Sequence, residues 1–476
     1  MVQQLERGSF EHRLATLVLG VDTLWGGNID SPSGVDHFIA DSWTSGLPFP
    51  EIMNDPFAEA LRQDGAGVLT KKDQRREVLA FIEKYALDTL PNTIREDVRK
   101  IERETHDEDR VVYLRNLISA LDVMRDRAMA EVGLCDAPSY EAMYAAATRS
   151  SVIFSDPAPY RENLRSALAG VGFETTASRN VKETLVAWQA SRKLSTDEVP
   201  ATVTRMNAEL LAKTRQALFA KVLPNLAGHA ADLSDLAFDG MVFQIIPQAF
   251  FTGSNAYTGG EREGRPLLAG LYEFNIQHVG TEIDMRHLSA HEMMPGHYLS
   301  NAMRDLLFRA NRLGFEATIG TMATPEIVFL EGWAENAFEL LYGSREAAID
   351  AHGPELAVIF ACCELESLGK HNASVLYNRD HVSIEKLRER LATEYAQPPA
   401  LVKKLSGPFV THPILGAMYA PSYHLGTRLV SQAIADHGVL AVAKVGMYLE
   451  GMIDIETMHT KLDLLRRYDS LGGKQQ

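Results

Sequence analysis

A mainly α fold with a small β-sheet is predicted for this chain of 476 residues. Apolar residues return at three- and four-residue intervals over most of 73–230 and again from 282 nearly to the end, the mark of amphipathic helices. Strand character is confined to two short stretches between 240 and 277. No repeat of fixed period is present, so the helices form layers and not a solenoid. A hydrophobic fraction of 46% beside 23% charged residues is that of a globular protein able to bury a large core.

Residues 1–72 are rich in Gly, Pro, Ser and Asp and read as an irregular N-terminal arm. A helical layer follows over 73–235. In "EVLAFIEKYALDTL" the periodic residues are Leu79, Ile82, Tyr85, Ala86 and Leu90; in "VVYLRNLISALDVMRDRAM" they are Leu114, Leu117, Ile118, Leu121 and Met124. Residues 236–476 are read as a second part, the one that holds the candidate chemistry set out below, packed with the helical layer as one unit. Its first stretches, "GMVFQIIPQAFF" (240–251) and "LLAGLYEFNIQ" (267–277), read as strands joined by a Gly-rich segment. Pro247 offers no N–H to a ladder, so the first belongs at an edge.

Charge and cysteine usage narrow the function classes. With 47 Lys+Arg against 63 Asp+Glu the net charge is −16, which repels phosphate backbones and anionic surfaces. No nucleic acid and no membrane partner is expected. The N-terminal residues do not match a secretory signal, and no apolar run reaches about 18 residues. Cys135, Cys362 and Cys363 form neither a disulfide framework nor a Cys-x-x-Cys site. Adjacent Cys362 and Cys363 read as core. A reduced, cytoplasmic protein is the expectation, with a homodimer left open.

The chemistry concentrates in "SAHEMMPGHYLSNAM" (289–303). His-Glu-x-x-His on a helix holds zinc because its histidines lie one turn apart, with the Glu beside the bound water. Here His297 follows His291 by six positions. On an ideal helix that is about 600° of rotation, leaving the two rings roughly 120° apart. Pro295 lacks the N–H owed to the carbonyl of His291 and clashes with it, so the helix must distort there. Gly296 gives the chain freedom to re-enter a helix at a new angle. The Pro-Gly pair is therefore expected to bring His297 back towards His291, with Glu292 placed as general base.

A third ligand is expected from "TPEIVFLEGWAENAFELLYG" (324–343), with Thr324 as N-cap, Pro325 at the first helical position and Gly343 at the end. Glu331 falls inside the stripe Ile327, Leu330, Ala334, Phe338 and Leu341. A carboxylate on a buried face is costly unless a cation meets it. Glu335, one turn on, can accept from a ligating imidazole and fix its tautomer. His278 and His287, which flank the motif, are left outside the metal shell.

"HEMMPGH" followed by "EGWAE" resembles the bacterial family catalogued as domain of unknown function 885, similar to the gluzincin metallopeptidases. The likeness also touches "NAYTGG" (255–260) and "SYHLG" (422–426), and covers roughly 240–430. It implies a large helical gluzincin-like fold with a small sheet edging the cleft. It implies one zinc ion on His291, His297 and Glu331, with Glu292 as base and Glu335 behind the ligands. On that reading Tyr423 or His424 would bind the oxyanion opposite the metal, Arg428 would pair with a substrate carboxylate, and the 267–277 strand would offer its edge to an extended peptide.

The expected function is zinc-dependent hydrolysis of amide or peptide bonds. The substrate is a peptide, or a small-molecule amide or ester. A non-haem iron oxygenase shares the two-His, one-carboxylate set, but has no use for a carboxylate directly after the first histidine. A binding protein keeping the metal as a staple is the other rival.

Overall fold

The computed structural model describes residues 5–472 apart from 32, 34–37, 64, 106, 224–237, 239, 248–250 and 263–264, and the backbone alone over 467–472. Residues 224–235 of the expected helical layer and 248–250 of the first expected strand lie outside that description. Helix accounts for 66% of the chain and strand for 9%, so the fold is mainly α. No described helix is long and apolar enough to cross a membrane.

The N-terminal segment departs from the irregular arm expected of it. Helix α1 (Phe10–Leu24) is capped by the Ser9 side chain and buried on every side from Leu14 to Leu24. The apolar run "LATLVLGV" is short, but all-round burial needs no polar face and so shows no helical period. Asp22 at its end accepts the backbone N–H groups of Ile39 and Ala40 at 2.7 and 2.9 Å. These bonds fix the start of strand β1 (Ala40–Trp43), which pairs antiparallel with a strand far along the chain. The segment is thus part of the core.

In the helical layer, α2 (Glu108–Glu131) buries Leu114, Leu117, Ile118, Leu121 and Met124 as its periodicity required. The stretch 77–90 instead divides between helices Arg75–Lys84 and Leu90–Thr105, with Ala86 at φ 53° between them. Its buried face is Val78, Phe81 and Ile82, while Leu79 and Tyr85 are only half-buried.

The sheet has three strands in the order β2 (Met241–Ile246), β4 (Arg265–Asn275), β3 (Gly253–Arg262). β2 is an edge strand ending just before Pro247, as a residue without a donor requires. The Gly-rich segment read as a connection is itself β3, antiparallel to β4, with register shifts around Gly259. Asn255, Ala256 and Tyr257 are all buried, so the strand shows no alternating pattern, and its glycines read as a turn. β4 is paired on both sides, so the 267–277 strand has no edge to offer a peptide.

Helices α3 (Glu282–Glu292) and α4 (His297–Arg309) carry the motif; β5 (Ile319–Thr321) pairs with β1; α5 (Pro325–Glu335) carries Glu331. Thr324 occupies the N-cap position of α5, but its hydroxyl donates to the Thr321 carbonyl and caps nothing. α5 ends at Asn336, whose side-chain amide donates to the Gly332 and Thr427 carbonyls; a separate short helix reaches Gly343. Helix α7 (Ala420–His437) packs against α5, and α6 (Glu355–Ser374) packs against α7. α5 and α7 approach so closely that a Cβ on Gly332 would stand 2.2 Å from the Gly426 carbonyl oxygen. That contact seats α5 at a depth no larger residue allows.

Candidate metal centre

The Pro-Gly step breaks the motif into two helices and does not bulge one. α3 stops at Glu292 and α4 starts at His297, with a cis Met294–Pro295 peptide between them. A Cβ on Gly296 would lie 1.7 Å from the His291 carbonyl oxygen, so only glycine lets the chain fold back this tightly. Two bonds hold the break in place. Trp333 Nε1 on α5 donates to the Pro295 carbonyl at 2.6 Å, and Asn255 Nδ2 on β3 donates to the Glu292 carbonyl at 2.7 Å. The second satisfies a carbonyl that the helix end leaves without a partner. The Trp of "EGWAE" and the Asn of "NAYTGG" therefore position the motif.

The break turns the two rings together. His291 Nε2 and His297 Nε2 stand 3.1 Å apart, with ring planes at 83°. Glu331 Oε2 lies 3.6 Å from the first and 3.9 Å from the second. That oxygen is buried and has no hydrogen-bond partner among the described residues, while Oε1 accepts the Tyr419 hydroxyl at 2.7 Å. Donors about 2.0–2.1 Å from a tetrahedral zinc are separated by roughly 3.4 Å. The three observed separations bracket that value, so these residues fit one divalent cation. Burial holds His297 down to about 4 and, with His297 and His287 nearby, holds His291 well below its ordinary range. Both are neutral at pH 7, the form that ligates. Burial lifts Glu331 to about 8, the mark of a carboxylate in want of a counter-charge.

Around these three, Glu335 Oε1 lies 3.5 Å from His291 Nδ1, on the far side of the ring from Glu331. The same carboxylate approaches His287 Nε2 at 3.9 Å, and Cys363 Sγ lies 3.8 Å from His287 Nδ1. His287, set aside from sequence, thus stands next to the centre, and Cys362 and Cys363 are half-buried and packed against the core. The Glu292 carboxyl is raised well above its usual range by burial, then by Glu331, Asp41 and Glu335. It accepts no hydrogen bond from any described residue and lines two cavities that meet at the centre.

The first cavity, about 140 Å³, is lined by the three candidate ligands and by Phe38, Asp41, Asn301 and Arg304 among others. Phe38 and Asp41 come from the N-terminal segment. The second, about 200 Å³, lies beyond Glu292 and His291 and contains Glu335, Cys363, Lys370 and Lys404.

Helix α7 divides the remaining expectations. Tyr423 lines both cavities, and its hydroxyl is 2.7 Å from that of Tyr419. Since Tyr419 gives its proton to Glu331, Tyr423 donates to Tyr419. His424 faces away, packed edge-on against the rings of Tyr160 and His371. Arg428 is exposed and lines a separate surface cavity with His424 and Glu364. Neither reaches the centre, because consecutive helical residues point about 100° apart. Tyr419 was missed from sequence. Its signal was the Tyr-x-x-x-Tyr spacing, obscured because the turn before α7 is a π-helix, Leu415–Tyr419.

No protein-family model matches the chain, and no curated protein matches it in sequence. Among solved structures it is similar to a protein of Colwellia psychrerythraea described as a "putative lipoprotein", at 14% identity and a TM-score of 0.51, over 97% of this chain and 87% of that one. A second, from Shewanella oneidensis and described as a "putative lipoprotein of unknown function", aligns at 14% identity and a TM-score of 0.48 over 98% and 89%. What the chain shares with the first is its fold.

Proposed function

We propose that the chain is a metal-dependent hydrolase of amide bonds, acting on peptides or small amides. The observation that carries the reading is the orphaned, buried Glu331 Oε2 facing two neutral imidazole Nε2 atoms, with the Glu292 carboxylate beside them. A divalent cation, most simply zinc, held by His291, His297 and Glu331 would supply a Lewis acid and lower the pKa of a water. Glu292 would take a proton from the attacking water and pass it to the leaving nitrogen. Its lack of hydrogen bonds to the described residues and its place between two cavities suit a group that must receive and release a proton. Tyr423 would turn its O–H from Tyr419 to the developing oxyanion. Glu335 would steady His291 through Nδ1, and Tyr419 would hold Glu331 in position.

The experiment is metal analysis of the purified protein together with digestion of a mixed peptide library by the zinc-loaded chain and by Glu292→Gln. One zinc per chain in both, with turnover about 10²–10⁴-fold lower in the variant, supports the reading. Full turnover in Glu292→Gln removes the base; iron with oxygen uptake favours an oxygenase.

A further inference from the structure

The second cavity has a composition that metal binding and water activation leave unexplained. Lys370 Nζ sits 3.4 Å from Glu366 and 3.7 Å above the centroid of the Tyr423 ring. Lys404 Nζ donates to the Thr252 hydroxyl at 2.8 Å, and among the described residues it forms no ion pair. Glu366 acts on both lysines and Glu292 also acts on Lys404, while the Asp284 carboxylate is turned back to the Thr281 N–H at 2.7 Å. Of the two ammonium groups, Lys404 is the one with no carboxylate at ion-pair distance among the described residues. Burial pulls Lys404 down to about 8; an amine held in that way gains from an incoming anion. The rest of the wall includes apolar Met285, Leu288 and Ile359.

Position gives the recess its meaning. It meets the first cavity at His291, Glu292 and Tyr423, so an occupant adjoins the group that would protonate the leaving nitrogen. In an amide whose amine half is a terminal amino acid, the α-carboxylate is joined to that nitrogen through a single carbon.

We propose that this recess is the subsite for a C-terminal residue, with Lys404, aided by Lys370, receiving the free α-carboxylate and Met285, Leu288 and Ile359 receiving an apolar side chain. The inference rests on the hydrolase reading above and narrows it to substrates with a free α-carboxylate next to the scissile amide. In the reaction the acyl C–N bond breaks and the water oxygen joins the acyl carbon. The two protons of the water end on the released amino acid, one of them by way of Glu292.

The test is calorimetric binding to Glu292→Gln, which needs no turnover. The probes are N-acetyl-alanyl-leucine and its C-terminal amide, with acetyl-tetraalanyl-leucine and acetyl-leucine as longer and shorter free acids. The free dipeptide acid is expected to bind about ten-fold tighter than the amide, a charge-assisted hydrogen bond's worth of affinity. Adding Lys404→Met should erase the preference for acid over amide, and Lys404→Arg should restore most of it. Tighter binding of the pentapeptide than of acetyl-leucine marks a peptide as the source of the carboxylate; the reverse marks a small N-acyl amino acid. Equal binding of acid and amide, or no binding of either, overturns the subsite. Equal hydrolysis of acid and amide by the unsubstituted protein would overturn it while leaving the hydrolase standing, and a ten-fold preference without hydrolysis would do the opposite.

Discussion

Helix α5 carries two glutamates at 2% exposure each, Glu326 and Glu331, and their surroundings differ in one respect. Glu326 is met on both oxygens: Tyr113 donates to one at 2.8 Å, Tyr448 to the other at 2.7 Å, and Arg304 Nη1 stands at 3.5 Å. Glu331 is met on one oxygen only, and the other faces two imidazole nitrogens that carry no proton charge. Burial alone therefore does not separate a structural acid from a ligand. A closed set of protein donors marks the first, and an unmet oxygen facing further ligand atoms marks the second.

That difference can be broken by substitution, beginning with the largest effect. Glu331→Gln keeps the shape and the Tyr419 bond but withdraws the charge. Stoichiometric zinc, read by plasma mass spectrometry after dialysis, is expected to disappear. Urea denaturation in chelator should change by no more than about 1 kcal/mol, since no charged partner is stranded. Glu326→Gln should do the reverse. Zinc stays, while stability in the same chelator falls by about 3–5 kcal/mol because Arg304 is left buried without its counter-charge. Tyr419→Phe tests the hydrogen bond behind the ligand and should weaken zinc binding about 10–100-fold in a competition titration, with the fold unchanged. The smallest effect is expected on the other side of α7, where Arg428→Ala should alter turnover by less than about two-fold. A large loss there would mean that the cavity it lines takes part after all.

How far the sequence foretold this follows from the same contrast. Glu331 was legible because it interrupts an apolar stripe, and His291 and His297 because Pro295 and Gly296 explained their unusual spacing. Glu326 drew no notice, since an acid in the first helical turn is ordinary on a surface helix; its partners come from Tyr113 and Tyr448, distant in the chain. Tyr423 and His424 were chosen together, after Pro421 at what reads as a helix start, and only side-chain direction separated them. The strand over 253–262 was hidden by its glycines, and α1 by having no polar face. Lys370 and Lys404 are scattered cations in sequence, and only the packing of α6 against the following helices brings them beside Glu292.

The central claim is that one cation is shared by two imidazoles and one carboxylate across a broken helix. X-ray absorption at the zinc edge on the zinc-loaded protein reads that shell directly. Two imidazole nitrogens and carboxylate oxygen at about 2.0–2.1 Å are predicted, with the imidazole scattering halved in His297→Ala. A shell of oxygen alone, or one that His297→Ala leaves unchanged, would contradict it.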